Sequence, residues 1–381
     1  MSVSSLSQRS SVDTLRTEPD LLVPAVEGPM VWAKTELANY VVSLNAAEIE
    51  DIRMAVVTFK LTGLPRESIN KTTFKLSEKL AAKLATLKKE INQGQGVQVL
   101  RGLNKANFND EEWVIADVGV CAYIFEQRAT DDYANQTLSH IRDATHDKVP
   151  DFAKDIGLAG SKLTVRMDYH CDRFSGDVIS LCVKDDGGPR DGGEQYVVSF
   201  WKIYNHLLEN EPTVLETMTE PNWPFELKQK DAPPHLERGP ILFFADGKPI
   251  CQMVKAPLIG GPQLPRSKEM PALSIEQHHA LEVVEDLARC FGTQLDRQNG
   301  DIQFINNLSI MHARSAYGGD RKQPSSRHLM RMFLRDPETM WKKPKVYNAQ
   351  FEKPFLRGRK QEIPVIDTDP WRKISGRESH G

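Results

Sequence analysis

Apolar residues recur along this chain with two periods, and the change from one to the other divides it. Between about residues 46 and 125 the spacing is helical. Leu76, Leu80, Leu84, Leu87 and Ile91 fall on one face of a segment at 74–92, with Gly94 just past its end. A second helix is predicted at 46–59. A third starts after Asn109, a good N-cap, with Asp110, Glu111 and Glu112 in its first turn, and runs to about residue 125. Between the last two, Val97-Gln98-Val99-Leu100-Arg101-Gly102 reads as a short strand.

From about residue 160 the texture changes to short strands between turn clusters. Strands are predicted at 163–170, 178–183, 195–200, 239–244, 250–254, 302–305, 309–312 and 328–334. The turns include Asp185-Asp186-Gly187-Gly188-Pro189, Asp191-Gly192-Gly193, Asp246-Gly247, Gly260-Gly261-Pro262 and Gly318-Gly319-Asp320. One more helix, capped by Ser274 and stopped by Gly292, is predicted at 274–291. The pattern predicts a mainly β fold with flanking helices, its core a double-stranded β-helix of the jelly-roll, cupin-like kind. The Ser-rich segment 1–20 is expected to be disordered. No composition break divides residues 21–381. They are expected to form a single domain: a helical part to about 150, a core at about 95–345 and a C-terminal extension at 346–381.

Composition narrows the partners. The chain has 381 residues, 40% of them hydrophobic, and a formal net charge of −3. That balance gives no electrostatic case for nucleic acid. The basic stretch with Lys342, Lys343, Lys345, Arg357, Arg359 and Lys360 reads as a solvated tail. No apolar run approaches a membrane span. The start of the chain has no apolar secretory core, and Asp13, Glu18 and Asp20 oppose a transit peptide. Five cysteines without a CxxC spacing argue against a disulfide framework and a zinc ribbon, and for a reducing compartment, the cytoplasm.

The chemistry concentrates in His170-Cys171-Asp172 and in residues 312–331. A histidine and a carboxylate two positions apart share one face of a strand. By itself the spacing is weak, and His235-Leu236-Glu237, expected in a loop, is a decoy. Context strengthens it. Strict alternation through 163–170 puts Leu163, Val165, Met167 and Tyr169 on one face, and Arg166, Asp168 and His170 on the other. The second face suits an inward pocket, which makes Arg166 and Asp168 candidates for substrate contact. His312, ending a later strand, completes a two-histidine, one-carboxylate set, the usual way to hold catalytic Fe(II) with open positions. Farther on, Arg327, Leu329, Arg331 and Phe333 share a strand face. Guanidiniums buried there each need an anion, either a structural Asp or Glu or a bound carboxylate.

Over about residues 95–345 the chain resembles the TauD/TfdA-like (taurine dioxygenase/clavaminate synthase-like) family of Fe(II)- and 2-oxoglutarate-dependent dioxygenases. The carriers are the segment 96–102, Tyr169-His170-Cys171-Asp172-Arg173 with Gly176-Asp177-Val178, Gly192-Gly193, Asn306-Asn307 before His312-Ala313-Arg314, and Arg327-His328-Leu329-Met330-Arg331 followed by Leu334-Arg335-Asp336-Pro337. The resemblance implies that His170, Asp172 and His312 ligate the iron and that Arg327 binds the distal carboxylate of 2-oxoglutarate. It implies that Arg331 contacts substrate or supports the cosubstrate. Gln195 stands where members often place a hydroxyl for the same carboxylate, so a changed contact is expected there. The implied reaction uses O2, releases succinate and CO2, and hydroxylates or desaturates a small molecule. An acidic compound or a secondary metabolite suits the spare arginine. The helical N-terminal part and the loop at 221–234, with Trp223 and Phe225, are candidates for a lid, with core packing as the alternative. Two other readings are a barrel that binds or regulates without turnover, and a hydroxylase or demethylase of protein side chains.

Overall fold

In the computed structural model, the described residues are 21–103, 107–131, 135–148, 151, 158–227, 235–261, 265–318 and 323–367. The segments 1–20, 228–234 and 368–381, on which parts of the sequence reading fall, lie outside them.

The strands in chain order are β1 (Val41–Ser43), β2 (Val97–Arg101), β3 (Gln127–Arg128), β4 (Ser139–Arg142), β5 (Met167–His170), β6 (Val178–Asp185), β7 (Gln195–Ser199), β8 (Trp223–Leu227), β9 (His235–Gly239), β10 (Leu242–Ala245), β11 (Lys248–Cys251), β12 (Thr293–Gln294), β13 (Ile302–Asn306), β14 (Ile310–Arg314) and β15 (His328–Arg335). Seven of them form the larger sheet, in the order β1-β2-β13-β6-β15-β3, with β4 also paired to β15. A four-stranded sheet runs β12-β7-β14-β5, and β8-β9 and β10-β11 are hairpins.

The α-helices are α1 (Ala46–Leu61), α2 (Glu78–Gln93), α3 (Asp110–Ile124), α4 (Phe200–Asn210), α5 (Pro212–Thr219), the short α6 (Ala256–Ile259), α7 (Ile275–Phe291) and the short α8 (Asn348–Glu352). The predicted caps are in place: Asn109 accepts from the Glu112 amide and Ser274 from the Gln277 amide, each in a reciprocal capping box. Helices α4 and α5 are not among the elements the pattern predicts. Their signals were present: Ser199 caps α4, Phe200, Ile203, Tyr204 and Leu207 bury its one face, and Pro212 opens α5.

Alternation along the strands sorts side chains into two cores. Met330, Met332 and Leu334 of β15 join Val178, Cys182, Ile302 and Phe304 in a core shared with α1, α2 and α3. Leu329 and Phe333 point the other way, with Ile179, Leu181 and Ile305, toward Val197 and Ile310 of the smaller sheet. The two sheets therefore face one another across an interior, and the N-terminal helices cover the outer face of the larger sheet. Helices α4, α5 and α7 back the smaller sheet, with Val198, Met311 and Tyr169.

Two expectations change and one open alternative is decided. The N-terminal helices are outer-face packing, not a lid. Trp223 and Phe225 take the core alternative: both are fully buried, their hairpin packs on α6, and the Trp223 indole donates to the Thr217 carbonyl of α5. His235 and Glu237 lie in strand β9, not in a loop.

Candidate active site

His170 ends β5 and His312 lies in β14, and the two are direct partners in the ladder. Their ring centroids are 4.2 Å apart. Asp172 leaves the end of β5 and turns its carboxylate back between them: Oδ1 lies 3.9 Å from His170 Nε2 and Oδ2 lies 3.6 Å from His312 Nε2. Those distances are too long for hydrogen bonds. Two ligands about 2.1 Å from one ion stand about 3 Å apart at right angles and about 4 Å apart when opposed, so a single divalent cation fits. Among the described residues, this is the group of histidine, cysteine and carboxylate side chains whose ligand atoms come within 4.8 Å of one another.

The surroundings prepare those atoms. His170 Nδ1 donates to the Asp168 carbonyl at 2.7 Å, which leaves Nε2 bare for a metal. Burial, with His170 and Arg331 nearby, pushes the His312 pKa down to about 3, so its imidazole stays neutral as ligation requires. Asn307, fully buried, anchors the segment carrying Asp172. Its Oδ1 accepts from the Asp172 amide at 2.8 Å, and its Nδ2 donates to the carbonyls of Asp172 and Gly176 at 2.8 and 2.9 Å. Gln252 holds the next turn by accepting from the Phe174 amide at 2.7 Å.

The triad opens into the interior between the sheets. Its walls include His170, His312, Gln195, Arg314, Arg327 and Arg331, with Ile179, Leu181, Val197 and Leu329 as the apolar part. Arg327 is 1% exposed and Arg331 6% exposed. Nε and Nη1 of Arg327 and Nε of Arg331 are buried with no hydrogen-bond partner among the described residues. Desolvation, with Arg314 and Arg297 nearby, pushes the Arg327 pKa down to about 9. Gly193 makes room for it: a β-carbon there would lie 2.6 Å from Arg327 Nε, and φ is +73°. Gln195 also faces the interior, with Oε1 buried and unpartnered.

Arg166 and Asp168 do not line this cavity. Only Met167–His170 is strand, and the register slips between the His312–His170 and Arg314–Met167 pairs. That irregularity breaks the strict alternation on which their facing was read. Met167 instead joins His170 at the wall. Arg166 and Asp168 belong to an outer ion cluster with Glu285, Lys255 and Arg289. Arg314, Tyr317, Asn307 and Gln252 carry no role assigned from sequence. Arg314 was detectable, since it lies two positions from His312 on the same strand face.

The model of the family described as "Taurine catabolism dioxygenase TauD, TfdA family" matches residues 58–333. The chain belongs to that family and is an Fe(II)- and 2-oxoglutarate-dependent dioxygenase. A taurine hydroxylase-like protein, SAT17, of Stachybotrys chartarum is 31% identical over 91% of this chain and 89% of its own length. FR-33289 synthase of Streptomyces rubellomurinus is 21% identical over 83% of this chain and 91% of its own length. Among solved structures, asparagine oxygenase in complex with Fe(II), 2S,3S-3-hydroxyasparagine and succinate aligns with a TM-score of 0.56 at 12% identity, covering 78% of this chain and 94% of that one. The non-heme iron oxygenase OrfP in complex with Fe and alpha-ketoglutaric acid aligns with a TM-score of 0.53 at 12% identity, covering 77% and 94%. At such identities the structural likeness speaks to the fold.

Proposed function

We propose that His170, Asp172 and His312 hold the Fe(II), and that Arg327, with Gln195 beside it, receives the distal carboxylate of 2-oxoglutarate. The observation that carries this reading is a cavity with the two histidine Nε2 atoms turned toward one carboxylate at one end and guanidinium N–H groups unpartnered among the described residues at the other. A keto-diacid meets both needs at once. In this class, bound Fe(II) and 2-oxoglutarate supply oxidative attack on an unactivated C–H bond, with release of succinate and CO2.

The chain's own part is positioning and electrostatics. The Asp168 carbonyl fixes the His170 tautomer, and Asn307 fixes the height of Asp172 in the site. Arg327 offers a planar fork that matches a carboxylate in two parallel bonds. Ile179, Leu181, Val197 and Leu329 keep water from the cavity and strengthen every charge interaction inside it. Arg331, nearer the triad and felt electrostatically by Asp172, is placed to meet an acidic group of the substrate or to support the cosubstrate. We read the two facing sheets as a double-stranded β-helix, which is how two strands of one sheet bring both histidines to the mouth of the interior.

The substrate in this reading is a small molecule, hydroxylated or desaturated at an aliphatic carbon. The small molecules named in the solved relatives, 3-hydroxyasparagine and hydroxyarginines, favour that size class. Five free cysteines fit a reducing, cytoplasmic setting, and no helix among the described residues is long and apolar enough to cross a membrane. The test is succinate formation by the iron-loaded protein with pooled metabolites, run beside peptide pools. Succinate raised by metabolites alone supports the reading; release driven by peptides, or none in air with either pool, would defeat it.

A further inference from the structure

Arg314 is a third guanidinium on the cavity wall, and among the described residues no carboxylate forms a salt bridge with it. It lies on β14, two positions beyond His312 and on the same face, and its ladder partner on β7 is Gln195. It is 6% exposed. One nitrogen, Nη2, is committed to the protein: it donates to the carbonyls of Leu163, at 3.0 Å, and Val165, and so fastens that loop. The other two, Nε and Nη1, are buried without a hydrogen-bond partner among the described residues.

Tyr317 ties this group to Arg327. The Arg314 guanidinium lies 4.7 Å from the centre of the Tyr317 ring and that of Arg327 lies 4.9 Å from it. Two like charges are thus held near one ring, facing one cavity. The Asp191 carboxylate, which acts on Arg327 electrostatically, accepts from the Ser325 hydroxyl, and among the described residues it forms no ion pair with either arginine. Burial of two adjacent cations with free N–H groups is strongly unfavourable unless an anion joins them.

We infer that Arg314 is a second anion-binding residue of the 2-oxoglutarate seat, sharing the distal carboxylate with Arg327. This rests on the function proposed above and goes beyond it. A hydroxyl is missing at Gln195, and the cross-strand neighbour of Gln195 supplies the second donor. A carboxylate has about four acceptor directions, enough for two guanidiniums. The competing role is purely structural, as the clamp on the Leu163 and Val165 carbonyls.

The test compares two cosubstrate acids by anaerobic titration of the Fe(II)-loaded protein: 2-oxoglutarate, and 2-oxovalerate, which lacks the distal carboxylate. Arg314→Met should weaken 2-oxoglutarate binding by about 10- to 100-fold, the loss of one charge-assisted hydrogen bond. Binding of 2-oxovalerate should stay within about twofold of wild type. Arg314→Lys, which keeps a cation but not the fork, should fall between. Iron affinity measured on the same samples checks that the site is intact; if Arg314→Met does not fold, the same comparison on Arg314→Lys decides. Equal weakening for both acids, or no weakening for 2-oxoglutarate, overturns the inference and leaves Arg314 a clamp. A wild-type protein that binds neither acid would instead defeat the underlying function.

Discussion

Arg101 and Arg327 are the same residue type in opposite circumstances. Arg101 grips Asp301 through Nε and Nη2, both at 2.9 Å, and reaches Asp296 through Nη1 at 2.9 Å. Its partners hold its pKa above the ordinary value. Arg327 is more deeply buried, has no such partner among the described residues, and its pKa is pushed down to about 9. The histidines divide the same way. His140 and His328 bond each other at 2.8 Å, and His140 Nε2 meets the Pro364 carbonyl at 3.1 Å. His170 and His312 leave their Nε2 atoms directed at Asp172, beyond bonding distance. Polar groups that stabilise the fold are saturated by the fold. Those kept for ligands are the ones the fold leaves wanting.

The contrast can be broken by mutation, and the largest effect belongs to the triad. His312→Ala should remove iron binding and lower succinate formation by at least about a thousandfold, measured by metal analysis and succinate assay. Retained iron would take His312 out of the ligand set. Next comes the arginine pair. Arg327→Ala should raise the 2-oxoglutarate KM by about a hundredfold with iron still bound. Arg101→Ala should leave that KM alone but cost on the order of 3 kcal/mol of stability, because Asp301 stays buried without its cation. If the two variants behave alike in denaturation and in kinetics, the division drawn here is wrong.

Smaller effects sharpen it. Asn307→Ala should weaken iron binding by about 10- to 100-fold, as expected for a group that only orients a ligand. An unaltered metal dissociation constant would reduce Asn307 to a packing role. For the saturated pair, burial holds the His140 and His328 pKa values down to about 4 and about 3. The native state then binds fewer protons than the unfolded chain, whose histidines titrate near 6.5. The stability these groups contribute is present above about pH 6.5 and is lost as pH falls toward 4. Thermal melts of wild type and His328→Asn over that range should show a steeper fall for wild type. The least effect is expected at Arg166→Ala, whose side chain belongs to the outer ion cluster: kcat/KM within about twofold of wild type. A large drop would return Arg166 to the substrate site.

Much of this was legible in the chain. Periodicity located α1, α2, α3 and α7, and the alternation in 328–334 correctly separated an inner face with Leu329 and Phe333 from an outer face with Met330, Met332 and Leu334. It sufficed because each face meets a different environment over several residues. The same rule failed in 163–170, where a single slip of register puts Met167 at the cavity and sends Asp168 outward. Alternation carries no information about a bulge, which is set by the partner strand. The chain alone also listed the donors: two histidines, an aspartate and the arginines. Only the tertiary structure decided which of those arginines find a carboxylate. Arg101 and Asp301 are about two hundred positions apart and meet because β2 and β13 are neighbours, whereas β15 brings Arg327 to a wall where, among the described residues, no carboxylate pairs with it. Pairing over such separations depends on how strands are ordered in space, and residue order along the chain does not encode that locally.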